Sequence, residues 1–191
     1  MATLVTGANG FVGSALCARL RRDGVSVRGA VRALNSKLDG SEVFAIGRLS
    51  SDTDWTEALK NVEKVVHLAA RVHVMNDKSP DPLAEFRRVN VEGTSALARQ
   101  AAAEGVKRFV YLSSVKVDGE FTKPGHPFTA DDLPAPEDPY GVSKHEAEHL
   151  LRQISAETGM EVVFDSVAGL QAATKNATRP HNSTLRALLD F

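Results

Sequence analysis

The stretch "TGANGFVG", Thr6 to Gly13, constrains the fold more than any other part of this chain. It lies between a short apolar run, Thr3 to Thr6, and a helical pattern from Val12 to Asp23. Gly7, Gly10 and Gly13 follow a G-x-x-G-x-x-G spacing rather than G-x-G-x-x-G. Glycine at a strand-to-helix turn permits backbone conformations and close approaches that a side chain would block. The amides opening such a helix point outward and suit a pyrophosphate. Gly7, Gly10, Phe11, Val12 and Gly13 are therefore candidate phosphate-binding residues.

The remainder of the chain repeats that strand-then-helix rhythm. Apolar, β-branched runs recur at Val25 to Val31, Val43 to Ile46, Lys64 to Ala69, Arg108 to Leu112 and Glu161 to Phe164. With Thr3 to Thr6 they predict six strands. Helical patterns fall at Trp55 to Lys60, Leu83 to Glu104 and Tyr140 to Thr158, and Gly24, Gly105 and Gly159 mark helix ends. Alternation of this kind predicts right-handed crossovers and a doubly wound α/β fold with a parallel sheet. "VVHLAA" is apolar nearly throughout, as a strand buried on both faces should be. At 191 residues one domain is expected. Ala33 to Ser41 and the proline-rich Asp118 to Pro139 lack periodicity, and the second reads as a loop bordering a site.

The end of the second strand is where an acid would hold ribose hydroxyls, or an arginine a 2′-phosphate. "VRGAVRALN" supplies Arg28 and Arg32 with no acid until Asp39, so the expected cofactor is NAD or NADP, with NADP favoured. An arginine can also stack on adenine.

"YGVSK" places Tyr140 and Lys144 four positions apart on one helical face. A free phenol titrates near 10, so acting as a base at neutral pH requires lowering by about three units, roughly 4 kcal/mol. A fixed ammonium and an oxidised nicotinamide both carry the required sign. Ser114 ends the fifth strand, at the edge where open parallel sheets bind ligands.

Five ordered motifs, "TGANGFVG", "VVHLAA", "VNVEGT", "FVYLSSVKV" and "YGVSK", resemble the extended short-chain dehydrogenases/reductases, specifically their NAD-dependent epimerase/dehydratase branch, over about residues 2–164. The resemblance implies a Rossmann domain over residues 1–164 and Tyr140 as catalytic acid/base. It implies Lys144 as electrostatic partner and ribose ligand, and Ser114 as the hydroxyl orienting a sugar oxygen. Leu68, Ala69 and Ala70 would pack along the cofactor, and Asn90 would brace the site from a neighbouring helix. The implied function is an NAD(P)-dependent nucleotide-sugar epimerase or related oxidoreductase, similar to UDP-glucose 4-epimerases. An NADPH-dependent ketone reductase and a catalytically silent nucleotide-binding remnant are the alternatives. A homodimer through the helices from Leu83 and Tyr140 is also implied.

The sequence departs from the family in three places. Arg48 stands after the third strand where an aspartate is common, and Val115-Lys116 replaces the acidic pair of the sugar dehydratases. Residues 165–191 replace the expected arginine-proline pair and the substrate domain, so the substrate-binding half is expected to be largely missing. A changed reading frame and a dedicated short form both fit that tail, in which Leu185, Leu188 and Leu189 suggest a short final helix.

The helical motif "HEAEH", His145 to His149, has zinc-protease spacing but no third ligand in its continuation, so solvated histidines and no metal are expected. A net charge of −1 suggests no nucleic-acid partner. Cys17 alone excludes an internal disulfide and fits a buried thiol in a reducing compartment. With no signal-like N-terminus and no long apolar run, a cytoplasmic location without a membrane partner is expected.

Overall fold

The computed structural model describes residues 1–34, 40–72, 79–122, 128–129 and 132–165. Its strands are β1 (Ala2–Thr6), β2 (Val27–Val31), β3 (Glu42–Ala45), β4 (Val62–His67), β5 (Arg108–Leu112) and β6 (Glu161–Asp165). The helices are α1 (Phe11–Arg22), α2 (Thr56–Leu59), α3 (Pro82–Phe86), α4 (Gly93–Ala103) and α5 (Pro139–Thr158). All strands pair in parallel, in the order β3-β2-β1-β4-β5-β6. The chain thus runs outward from β1 in one direction, returns, and runs outward again from β4. That reversal is the point at which doubly wound sheets open a crevice.

Strand alternation sends neighbouring side chains to opposite layers. Leu4, Val65 and Phe109 join Trp55, Leu97, Leu151 and Ile154 in the core under α4 and α5. Their neighbours Val5, Val66 and Val110 join Leu16, Cys17 and Leu20 under α1. The strands therefore read as continuous apolar runs because both faces are covered.

The termini of α5 follow from single residues. Asp138 Oδ1 accepts from Gly141 N at 2.5 Å, Pro139 occupies the first turn, and Gly159 ends the helix in a left-handed conformation. The single helix expected from Leu83 to Glu104 is instead broken. α3 passes into a π-helical stretch, Arg87–Glu92, before α4 begins. The widened turn holds the buried Asn90, and Gly93 follows it so close to Leu49 that an added Cβ would lie 2.6 Å from Leu49 Cγ. The strand expected over Lys64 to Ala69 ends at His67, because the backbone amides of Leu68 and Ala69 turn onto Thr6. β2 begins at Val27, two residues later than the apolar run suggests.

The tail from residue 166 onward, including its expected final helix, lies outside the described residues, as do parts of both aperiodic loops. Among the described residues no helix is long and apolar enough to cross a membrane.

Candidate functional site

A cleft of about 510 Å³ opens where the strand order reverses. Gly7, Gly10, Leu68, Ala69 and Ala70 line it, with Arg32 and Arg48 on the side of β2 and β3. Gly7 has φ +64°, and a Cβ there would lie 3.1 Å from Ala69 N. Gly10 is the N-cap of α1, and no side chain caps that terminus. Amides opening α1 are thus left to a ligand, as a pyrophosphate site requires. Gly13 is required for packing in the same turn. A Cβ on it would run into the Gly7 carbonyl oxygen and lie 2.9 Å from Ala8 Cα. Phe11 is 85% exposed at the start of α1, and Val12 packs against the core beneath that helix. Asn9 and Arg71 also line the cleft, and the motif reading did not single them out.

One hydroxyl ties the two lining segments together. Thr6 Oγ1 accepts from Leu68 N at 3.1 Å and Ala69 N at 3.0 Å. With its lone pairs engaged, its own proton goes to His67 Nδ1, 2.7 Å away. His67 then carries hydrogen on Nε2 and donates it to Thr94 Oγ1 at 3.0 Å. Burial between Phe109 and Tyr111, with Lys144 nearby, lowers the His67 pKa to about 3.

Tyr140 and Lys144 lie on the first turns of α5, as the motif predicts. Lys144 is 2% exposed, its Nζ 3.9 Å from the centroid of the Tyr111 ring. Burial lowers its pKa to about 7, against the opposing pull of Glu148 one turn further on. Glu148 is itself buried and accepts a short hydrogen bond from Ser113 Oγ. Burial therefore weakens the positive charge that the spacing assigns to Lys144 as a fixed ammonium. Tyr140 departs from expectation too. Burial raises its pKa above the ordinary value, while a hydrogen bond from Ser114 and the charge of Lys116 act in the lowering direction. Desolvation, with the Asp138 charge added to it, outweighs Ser114 and Lys116 here because burial penalises the charged phenolate. Ser114, Tyr140 and Lys144 do not line the cleft itself.

Asn90 is 1% exposed and acts as a brace. Its Oδ1 accepts from Arg71 N at 2.8 Å, and its Nδ2 donates to Arg71 O and Ser143 Oγ, each at 3.0 Å. Ser143 in turn donates to the Tyr140 carbonyl at 2.8 Å. Asn90 thus links the end of the "HLAAR" stretch to the helix carrying Tyr140. In "HEAEH", Glu146 is engaged with Arg87 at 2.5 Å and His149 lies beside Gln153 at 3.2 Å. Among the described residues no group of His, Cys, Asp and Glu is placed to hold a metal ion.

These shifts predict a pH profile for folding. His67 is depressed from 6.5 to about 3, so the stability of its neutral form is present above 6.5 and is lost as pH falls toward 3. Lys144 acts in the same direction between 10.5 and about 7. Urea midpoints are expected to fall steadily on acidification, and less steeply in His67→Asn. An identical slope in that variant would refute the His67 contribution.

The chain matches the NAD dependent epimerase/dehydratase family over residues 3–179. It belongs to that family. It is 48% identical over 162 residues to a UDP-glucose 4-epimerase of Vibrio cholerae, covering 84% of this chain and 49% of that protein. A short-chain dehydrogenase/reductase superfamily protein from Agrobacterium tumefaciens, solved with bound NAD, superposes with a TM-score of 0.74. It is 36% identical, with 86% of this chain and 48% of that one covered. MoeE5, solved with UDP-glucuronic acid and NAD, also gives 0.74 at 34% identity, covering 87% and 53%. This member of the epimerase/dehydratase family thus spans about half the length of the relatives it matches.

Proposed function

We propose that this chain carries the dinucleotide-binding and proton-transfer half of an NAD(P)-dependent nucleotide-sugar epimerase. The observation carrying this reading is the placement of Ser114, Tyr140 and Lys144 at the carboxyl edge of β5 and the start of α5, beside a cleft lined by glycine and an uncapped helix. The residues fit a dinucleotide. Gly7 and Gly10 leave room for a diphosphate at the α1 amides, Leu68, Ala69 and Ala70 form an apolar wall, and Arg32 and Arg48 stand at the adenosine side. When bound, a nicotinamide dinucleotide supplies a hydride acceptor and, oxidised, a positive charge that favours phenolate at Tyr140.

The chain's own groups would supply the rest. Ser114, which acts on the Tyr140 phenol in the lowering direction, would orient a sugar hydroxyl toward it. Tyr140 removes the hydroxyl proton as the carbon-bound hydride leaves, and returns it when the hydride comes back to the other face of the sugar. Lys144, held on Tyr111 and countered by Glu148, stabilises the phenolate and reaches a ribose hydroxyl. A homodimer is part of this reading, through the helices preceding and including α5.

Arg32 and Arg48 favour a second reading, an NADPH-dependent ketone reductase, because two guanidinium groups at the adenosine side suit a 2′-phosphate. Calorimetric titration with NAD and NADP, followed by incubation with UDP-glucose or UDP-galactose, tests both. Interconversion of the sugars supports the epimerase. Ketone reduction with NADPH and no sugar conversion supports the reductase. Binding of neither dinucleotide sinks both.

A further inference from the structure

We propose that Lys116 is a positioning residue that locks the Ser114 turn onto the start of α5, giving the serine hydroxyl and the Tyr140 phenol a common orientation. This rests on the reading of Tyr140 as the proton-transfer residue. Three connections converge on Lys116. Its backbone amide donates to Ser114 Oγ at 3.3 Å, where Ser114 caps the short 3₁₀ turn Val115–Val117. Its ammonium donates to Asp138 Oδ2 at 2.5 Å and to Glu120 Oε1 at 2.8 Å. Its carbonyl oxygen packs against α5 so closely that a Cβ on Gly141 would lie 2.7 Å away.

Asp138 divides its carboxylate between two tasks. Oδ1 caps α5 through Gly141 N while Oδ2 holds Lys116. One carboxylate therefore fixes both the helix that presents Tyr140 and the turn that presents Ser114. The two ion pairs are partly exposed, so their contribution lies in fixing geometry more than in stability. Glycine after Tyr140 is required for the same approach.

The ion pair also balances charge at the phenol. Lys116 from the 3₁₀ turn and Asp138 from the helix start act on Tyr140 in opposite directions, with Ser114 acting in the lowering direction alongside Lys116. Glu120 lies behind Lys116, Lys144 follows on α5, Tyr111 of β5 lies beneath Lys144, and the uncharged Phe86 ring meets Tyr140 edge-on.

The chain has two tyrosines, and burial raises Tyr111 well above the ordinary range. Phenolate absorbance in rapid alkaline pH jumps therefore reads Tyr140 first, with Tyr140→Phe as the assignment control. Lys116→Met is expected to move that midpoint to higher pH, and Lys116→Arg to return it. Asp138→Ser keeps a capping hydroxyl but releases the Lys116 ammonium, so loss of the lock withdraws Ser114 from the phenol and is expected to raise the midpoint as Lys116→Met does, whereas loss of the carboxylate's charge alone would lower it. A lowered or unmoved midpoint in Asp138→Ser overturns the proposal. Should Lys116→Met not fold, Asp138→Ser carries the test alone. The readout needs no turnover, so loss of the epimerase reading and loss of this one remain distinguishable.

Discussion

Tyr140→Phe is expected to lower nucleotide-sugar turnover about a thousandfold while leaving dinucleotide affinity unchanged. The substitution removes one oxygen and keeps the ring, whose edge-on contact with Phe86, at 6.0 Å between centroids, survives. What disappears is the acceptor for the sugar's proton. Losing an interaction made in the transition state should reduce kcat and kcat/KM together. Calorimetry with dinucleotide and a coupled assay of sugar interconversion measure the two halves separately. Turnover retained to within a few-fold would remove Tyr140 from the role proposed here.

Gly13→Ala should produce the second large effect, on structure as well as binding. The added methyl has no direction in which to yield, because its neighbours are the Gly7 carbonyl and Ala8 backbone rather than flexible side chains. Overpacking of this kind costs about 1–3 kcal/mol, and relief comes by pushing Gly7 away from Ala69. Displacing that turn should also weaken dinucleotide binding about a hundredfold or more, since the α1 amides move with it. Chemical denaturation and dinucleotide titration are the measurements. Wild-type affinity in a stably folded Gly13→Ala protein would show that the loop is not the phosphate cradle.

Much of this architecture can be read from local pattern. The parallel sheet follows from alternating β and α runs, and the ends of α1 and α5 follow from Gly24 and Gly159, both at positive φ. The glycine loop and Tyr140-Lys144 spacing are likewise local, because turns and helix faces are set by residues close in sequence. What escaped depends on long-range pairing. Thr6 and His67 stand 61 residues apart, and each occurs inside a quoted motif without showing that it closes on the other. The burial of Lys144 was hidden for a related reason. A lysine next to a serine at the start of an amphipathic helix reads as exposed until Tyr111 arrives from β5 to lie beneath it. The π-helical turn at Asn90 leaves no periodic trace, because one widened turn is shorter than the window that reveals a period.

The central place of β1 in the sheet has a kinetic consequence during synthesis. Its partners are β2, which emerges soon after it, and β4, at residues 62–67. At about 5–20 residues per second, one backbone edge of the nascent N-terminal strand stays without its neighbour for several seconds. During that interval a hydrophobic ribbon is open to pairing with other chains. Slowing of the ribosome before residue 62 should therefore raise aggregation more than an equal pause after residue 112, by which point β4 has been synthesised and can cover that edge.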